Sequence, residues 1–143
     1  MSMPAIKVAI IEDSSDNLEV AKLILRHKVG ASIVGGWASG AMFLKWFHDS
    51  RQTALNPHLR AIDLLLLDLQ IPRESGFTVL EKLQGIPELA GTKIVAWTAN
   101  TTARSLQECR TAGFDGFIGK PIAYERFPQQ IQRILTGDPV WDA

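Results

Sequence analysis

Leu64-Leu65-Leu66-Leu67-Asp68-Leu69-Gln70-Ile71-Pro72 is the stretch whose reading decides the fold. Four leucines following Ile62-Asp63 form a continuous apolar run, the pattern of a strand buried on both faces of a parallel sheet. Pro72 cannot donate to a central ladder, so the strand has ended by that point. Asp68 therefore stands at the C-terminal edge of the sheet, where open α/β folds receive their ligands. A carboxylate at the end of a buried strand needs a partner, because an uncompensated buried charge is costly.

Outward from this strand, helix and strand patterns alternate. Ile6 to Ile11 reads as a first buried strand ending in Glu12-Asp13, with Ser14 and Ser15 able to cap the helix that follows. Asn17, Val20, Ala21, Ile24, Leu25 and Lys28 fall at helical spacing there, Leu18 and Leu23 lie off that stripe, and Gly30 stops the helix. Ser32-Ile33-Val34 is a second strand running into Gly35-Gly36, and Ser39 caps a second helix carrying Met42, Phe43, Leu44, Trp46 and Phe47. His48 to Ala61, with Asn56-Pro57 inside it, is the longest connection. Ser75-Gly76 opens a third helix through Phe77, Val79, Leu80 and Leu83 that closes near Gly85 and Pro87. A fourth strand covers Lys93 to Trp97, a fourth helix about Thr101 to Thr111, and a fifth strand Gly116 to Ile118. The last helix runs from about Tyr124 to Leu135; Pro128 fits only in its first turn, which argues for a later start. The tail Gly137-Asp138-Pro139-Val140-Trp141 reads as containing no further element. Five strand–helix units with right-handed crossovers imply a doubly wound five-stranded parallel sheet with five helices, not an eight-unit barrel.

The 143 residues suit one domain with a single sizeable core, read here as residues 1–137 with a short tail at 138–143. Lys plus Arg (15) balances Asp plus Glu (15), which gives no footprint for nucleic acid or an anionic membrane. After Leu135 too few residues follow for a DNA-reading module. Cys109 is the one cysteine, which excludes an intramolecular disulfide or a cysteine-based zinc site and reads as a small apolar filler. His27, His48 and His58 show no ligand spacing and read as surface residues. The run Ala5 to Ile11 is too short for a signal or membrane segment, so a cytoplasmic protein is the expectation.

Polar groups collect at the ends of three further strands: Glu12-Asp13 after the first, Thr98 after the fourth, Lys120 after the fifth. In a parallel sheet these ends share one edge and converge with Asp68. Crowded carboxylates repel strongly in a low-dielectric cleft and call for a cation. An all-oxygen acidic site favours Mg²⁺ (or Mn²⁺) over zinc or copper. A nearby hydroxyl and ammonium are the groups that receive phosphoryl oxygens. The chemistry suggested is phosphoryl transfer onto a carboxylate. Relieving one like-charge contact at Asp13 is then expected to stabilise the metal-free chain.

The acid pair, the Asp after an apolar strand, Asp-Leu-Gln-Ile-Pro, Trp-Thr-Ala-Asn and Gly-Lys-Pro-Ile together resemble the receiver domain of two-component response regulators, of the single-domain chemotaxis type. The likeness runs from about Ala5 to Leu135, and the spacings are specific: 30 residues from Asp68 to Thr98 and 22 from Thr98 to Lys120. The resemblance implies the strand order 2-1-3-4-5 of this flavodoxin-like fold. By position it implies Asp68 as phospho-acceptor, with Asp13 binding the metal directly, Glu12 through water, and the backbone carbonyl of Gln70 as a further ligand. Thr98 would take a phosphoryl oxygen, Lys120 would pair with the phosphoryl group, and Phe117 would be the aromatic that swings inward. Pro121 matches the family's Lys-Pro step, often a cis bond. Implied partners are a histidine kinase or histidine phosphotransfer protein upstream and a protein target downstream, with a phosphorylation-dependent homodimer as one form of output. Arg104, Gln107, Glu108, Arg110, Tyr124, Arg126 and Gln130 would populate the output face. Glu74-Ser75 stands where the family usually has Met-Asp, and Phe114 where it usually has alanine. Gln70 and Asn100 lie where an attacking water would arrive.

Each element also has a plainer reading. Asp68 alone would be a strand-end cap, Glu12-Asp13 a helix N-terminal acid pair, and Phe117 a core residue. A phosphatase of haloacid-dehalogenase type shares the nucleophilic Asp, hydroxyl, lysine and Mg²⁺, but places an acid two residues after the nucleophile, where this chain has Gln70. A flavodoxin-like cofactor binder is disfavoured, because the turn after the first strand is acidic and lacks a phosphate-cradling loop.

Overall fold

The computed structural model of the protein describes residues 5–52, 62–138, 140 and 141. The elements in chain order are β1 (Lys7–Ile11), α1 (Ser15–Ile24), β2 (Ser32–Trp37), α2 (Gly40–Gln52), β3 (Leu64–Asp68), α3 (Gly76–Gln84), β4 (Lys93–Thr98), α4 (Ala103–Ala112), β5 (Gly116–Gly119) and α5 (Phe127–Leu135). All strand pairings are parallel, in the order β2-β1-β3-β4-β5. Residues 53–61 of the long connection, and His58 with them, lie outside the described residues.

Side-chain alternation divides the interior in two. Ala9, Ile11, Leu65, Leu67, Ile94, Ala96 and Phe117 face α2, α3 and α4, meeting Phe43, Phe47, Val79, Leu80, Leu83 and Cys109. Val8, Ile10, Leu64, Leu66, Val95, Trp97 and Ile118 face α1 and α5, meeting Ala21, Ile24, Leu25, Phe127, Ile131 and Ile134. Fully burying each leucine of β3 contributes about 1.5–3 kcal/mol relative to exposure, so this strand anchors both layers.

Local chemistry sets the element ends. Ser14, Ser75 and Thr102 accept the Asn17, Thr78 and Ser105 N–H groups at the starts of α1, α3 and α4. The start of α2 is capped twice over. Ser39 Oγ accepts the Met42 N–H at 3.1 Å, and the Glu74 carboxylate accepts those of Gly40 (2.6 Å) and Ala41 (3.1 Å). Pro128 falls in the first turn of α5, which starts at Phe127, later than Tyr124.

Four sequence expectations need correction. The inward stripe of α1 is half-buried Leu18 with buried Ala21 and Ile24, continued by Leu25 just beyond it, whereas Val20 is 50% exposed and Asn17 is exposed. Leu18 fits because Gly36 opposite has no side chain; a Cβ there would stand 2.7 Å from the leucine methyls. The chain beyond α1 widens into a π-helical turn, Leu25–Val29, before Gly30 (φ 73°) ends it. Among the residues assigned to the output face, Gln130 is buried. Finally, the tail is not free of structure. Val140 is fully buried, its carbonyl accepts the Phe117 N–H at 2.7 Å, and Trp141 bridges to Phe117 in parallel register on the outer edge of β5. Short patterns of this kind carry no periodicity to read.

Candidate functional site

Register delivers the polar groups to one edge. Ile11 pairs with Leu67, so Glu12 emerges beside Asp68; Asp68 pairs with Trp97, so Thr98 follows; Thr98 pairs with Gly119, so Lys120 follows. Glu12, Asp68 and Thr98 are each 2% exposed or less. Lys120 Nζ lies 2.7 Å from Glu12 Oε1 and 3.2 Å from Asp68 Oδ1, and stands 4.7 Å above the Trp97 ring. Carboxylate oxygens of Glu12, Asp13 and Asp68 lie within 4.8 Å of one another, with Asp13 the exposed member. The buried pair is thus Glu12 and Asp68. The crowding expected at Asp13 falls mainly on those two.

Among the described residues one ammonium faces three carboxylates, and the consequence shows in the titration of the buried pair. Burial, reinforced by the hydrogen bond to Glu12, pushes the Asp68 carboxyl up to about 7. Burial also works against the Glu12 anion, but its hydrogen bonds to Asp68 and Lys120 outweigh this and hold it below the ordinary carboxylate range. Asp68 therefore keeps its proton up to about pH 7 in the metal-free protein. Glu12 Oε2 is buried with no hydrogen-bond partner among the described residues. An oxygen-only donor set, a net deficit of positive charge and an orphaned carboxylate oxygen together fit a hard divalent cation.

The surrounding loops are tied to this cluster by main-chain bonds. Asp68 Oδ1 accepts the Gln70 N–H at 2.9 Å. Gln70 Oε1 in turn accepts the Ala99 N–H at 3.1 Å, joining the β3–α3 loop to the β4–α4 loop. Thr98 Oγ1 accepts the Asn100 N–H at 3.0 Å, and Asn100 Oδ1 accepts the Thr102 hydroxyl at 3.0 Å. The amides of Gln70 and Asn100 are therefore engaged within the loops. The Lys120–Pro121 bond is cis, and the Lys120 N–H bonds to the Thr98 carbonyl. Phe117 is not at this edge; it is fully buried under β5 on the side of α4.

The sequence profile of the response regulator receiver domain matches residues 8–132. The chain belongs to that receiver-domain family. The receiver is 29% identical over 133 residues to the hybrid signal transduction histidine kinase L of Dictyostelium discoideum, a match covering 89% of this chain and 7% of that protein. It is 34% identical over 73 residues to the polar-differentiation response regulator DivK of Brucella ovis, covering 51% of this chain and 59% of DivK. These matches thus span less than two thirds of the curated relatives' own length. The fold superimposes with a TM-score of 0.70 on the receiver domain of the sensor histidine kinase PA1611 of Pseudomonas aeruginosa, described with a magnesium ion in its active-site cleft; identity is 21% and coverage 93% of this chain and 99% of that one. No helix among the described residues is long and apolar enough to cross a membrane.

The Glu74 cap of α2 and the Trp97 ring beneath Lys120 have no local sequence signal, because both depend on pairs of distant residues. The link from Gln70 to Ala99 was hidden for the same reason.

Proposed function

We propose that this receiver accepts a phosphoryl group on Asp68 from a phosphohistidine of a histidine kinase or histidine phosphotransfer protein. The observation that carries the reading is the single lysine shared by two buried carboxylates beside a third acid, a cluster short of positive charge. Mg²⁺ (or Mn²⁺) held by Asp13, Asp68 and the Gln70 carbonyl, with Glu12 beside it, would supply the missing charge and draw the proton off Asp68. The magnesium described for the PA1611 receiver supports that choice.

Asp68 then attacks phosphorus with an ionised oxygen, the P–N bond breaks, and its electron pair leaves with the imidazole. Lys120 is placed to pair with an equatorial phosphoryl oxygen, and the Thr98 hydroxyl and Ala99 N–H border the same space. Switching rotamer to donate its hydroxyl to a phosphoryl oxygen would take Thr98 Oγ1 away from the Asn100 N–H that it now accepts and move the β4–α4 loop. Output then passes through the face of α4, β5 and α5 to a downstream protein or a second copy. Phe117 is already buried here, so its part is to hold or repack against α4 as that helix moves. Residues 1–137 form the receiver unit, and of the segment 138–143 Val140 and Trp141 lie against it. A cytoplasmic setting goes with this chemistry.

A labelled phosphohistidine donor tests the reading. Wild type should take up label only with Mg²⁺, and Asp68→Asn should take up none. Stoichiometric labelling of Asp68→Asn at the same segment overturns the assignment, and many turnovers of p-nitrophenyl phosphate would favour the phosphatase reading instead. Beryllofluoride with Mg²⁺ should alter amide exchange across residues 101–130, and Thr98→Ala should blunt that change.

A further inference from the structure

The edge of β5 is occupied by the chain itself. β5 is the last strand of the sheet, so its outer edge offers unpaired backbone groups of the kind that recruit another strand. Val140 and Trp141 lie there in extended register, joined to β5 by a single parallel bridge. The Phe117 N–H donates to the Val140 carbonyl at 2.7 Å, and Trp141 is in register with Phe117. The side chains alternate as strand residues do. Val140 enters the interior on the α1–α5 side, and Trp141 packs on the α2–α4 side.

The approach is equally well determined. Gly137, at φ 87°, turns the chain after α5, and its N–H bonds to the Ile134 carbonyl. The Asp138 N–H bonds to the Arg133 carbonyl, and Arg133 Nε meets Asp138 Oδ2 at 3.3 Å. At the far end the Arg110 guanidinium of α4 lies 5.0 Å from the centre of the Trp141 ring. This short segment therefore touches α5, β5 and α4 together, the three elements of the face through which output is proposed to pass.

We infer that Val140–Trp141 is an intramolecular clasp that favours the resting arrangement of the α4–β5–α5 face and covers the β5 edge from a partner. The inference rests on the phospho-accepting reading above. The Arg110–Trp141 contact spans α4 and β5, and a displacement of α4 relative to β5 breaks it. Contacts present in one state only bias the equilibrium toward that state. By linkage, removing them strengthens any ligand that favours the other state by the same factor.

The test compares wild type, Trp141→Ala and Arg110→Ala, none of which alters the acid cluster. Readouts are beryllofluoride affinity in the presence of Mg²⁺ and amide exchange at Phe117. Both variants should bind beryllofluoride about 5-fold more tightly or better, the low end of ordinary coupling. Phe117 exchange in the resting state should quicken by about 10-fold in Trp141→Ala. General destabilisation does not tighten the ligand, so a tighter phosphoryl mimic alongside a lower melting temperature marks the clasp. Arg110→Ala keeps the tail intact and reports even where Trp141→Ala folds poorly. Equal or weaker beryllofluoride binding by both folded variants overturns the clasp. Failure of wild type to bind beryllofluoride at all counts instead against the phospho-acceptor reading.

Discussion

Asp68→Asn should stabilise the metal-free protein, and by an amount that grows with pH. In the unfolded chain Asp68 ionises near its ordinary 3.8; in the folded, metal-free chain burial and Glu12 hold it protonated up to about 7. Between those values the folded state binds more protons than the unfolded one. The stability contributed by this proton is thus complete below pH ~4 and is lost as pH rises through 7. Three pKa units correspond to about 4 kcal/mol at the extreme. Glu12 moves in the opposite sense through the same hydrogen bond and returns part of this, so a net effect of about 2 kcal/mol at pH 8 is expected. Asparagine keeps an oxygen to accept the Gln70 N–H at 2.9 Å and gives up only the ionic attraction to Lys120. Urea unfolding with a chelator present measures the difference. With a slope of about 2 kcal/mol per molar, the midpoint of Asp68→Asn should exceed that of wild type by ~1 M at pH 8 and match it near pH 4. Adding Mg²⁺ should reverse the order, because only wild type keeps the full acid set. A variant less stable than wild type in chelator at pH 8, or a gap that ignores pH, refutes the reasoning.

Glu74→Ala should uncap two N–H groups of α2 and lower stability by ~1 kcal/mol, a fall of about 3 °C in Tm by calorimetry, with the acid cluster untouched. Burial, aided by the neighbouring Glu108 charge, pushes the Cys109 thiol from 9.0 to about 11. At pH 8 the folded chain should therefore react with iodoacetamide at least ~100-fold more slowly than the urea-unfolded chain, the ratio of their thiolate fractions. Equal rates would place Cys109 outside the core.

The parallel sheet was legible because β3 is buried on both faces and announces it with four leucines, and because β1, β3, β4 and β5 each end in or run into a polar residue at the shared edge. Asp68, Glu12, Thr98 and Lys120 converge through register, which strand alternation alone fixes to within a residue. What stayed hidden depends on rotation and on distant pairing. The α1 stripe keeps Ala21, Ile24 and Leu25 but turns Leu18 inward in place of Asn17 and Val20, into the gap that Gly36 leaves. The division of labour among the acids follows from which one is exposed, and of two adjacent residues in one cluster Glu12 is buried and Asp13 is not, with nothing in their identity to say so. Val140–Trp141 offers two residues of pattern, and its meaning comes only from the strand beside it.

The Trp97 indole gives the molecule a built-in optical gauge. Its ring is buried, its Nε1 has no hydrogen-bond acceptor, and the Lys120 ammonium stands 4.7 Å over its face. The excited state of an indole moves charge across the ring, so its emission colour follows the local electric field. Any event that draws Lys120 toward a new anion changes that field from a few ångströms away, without a label. With Trp37, Trp46 and Trp141 replaced by phenylalanine, the emission of Trp97 alone should shift as metal and phosphoryl mimic enter, reporting occupancy of the edge in real time.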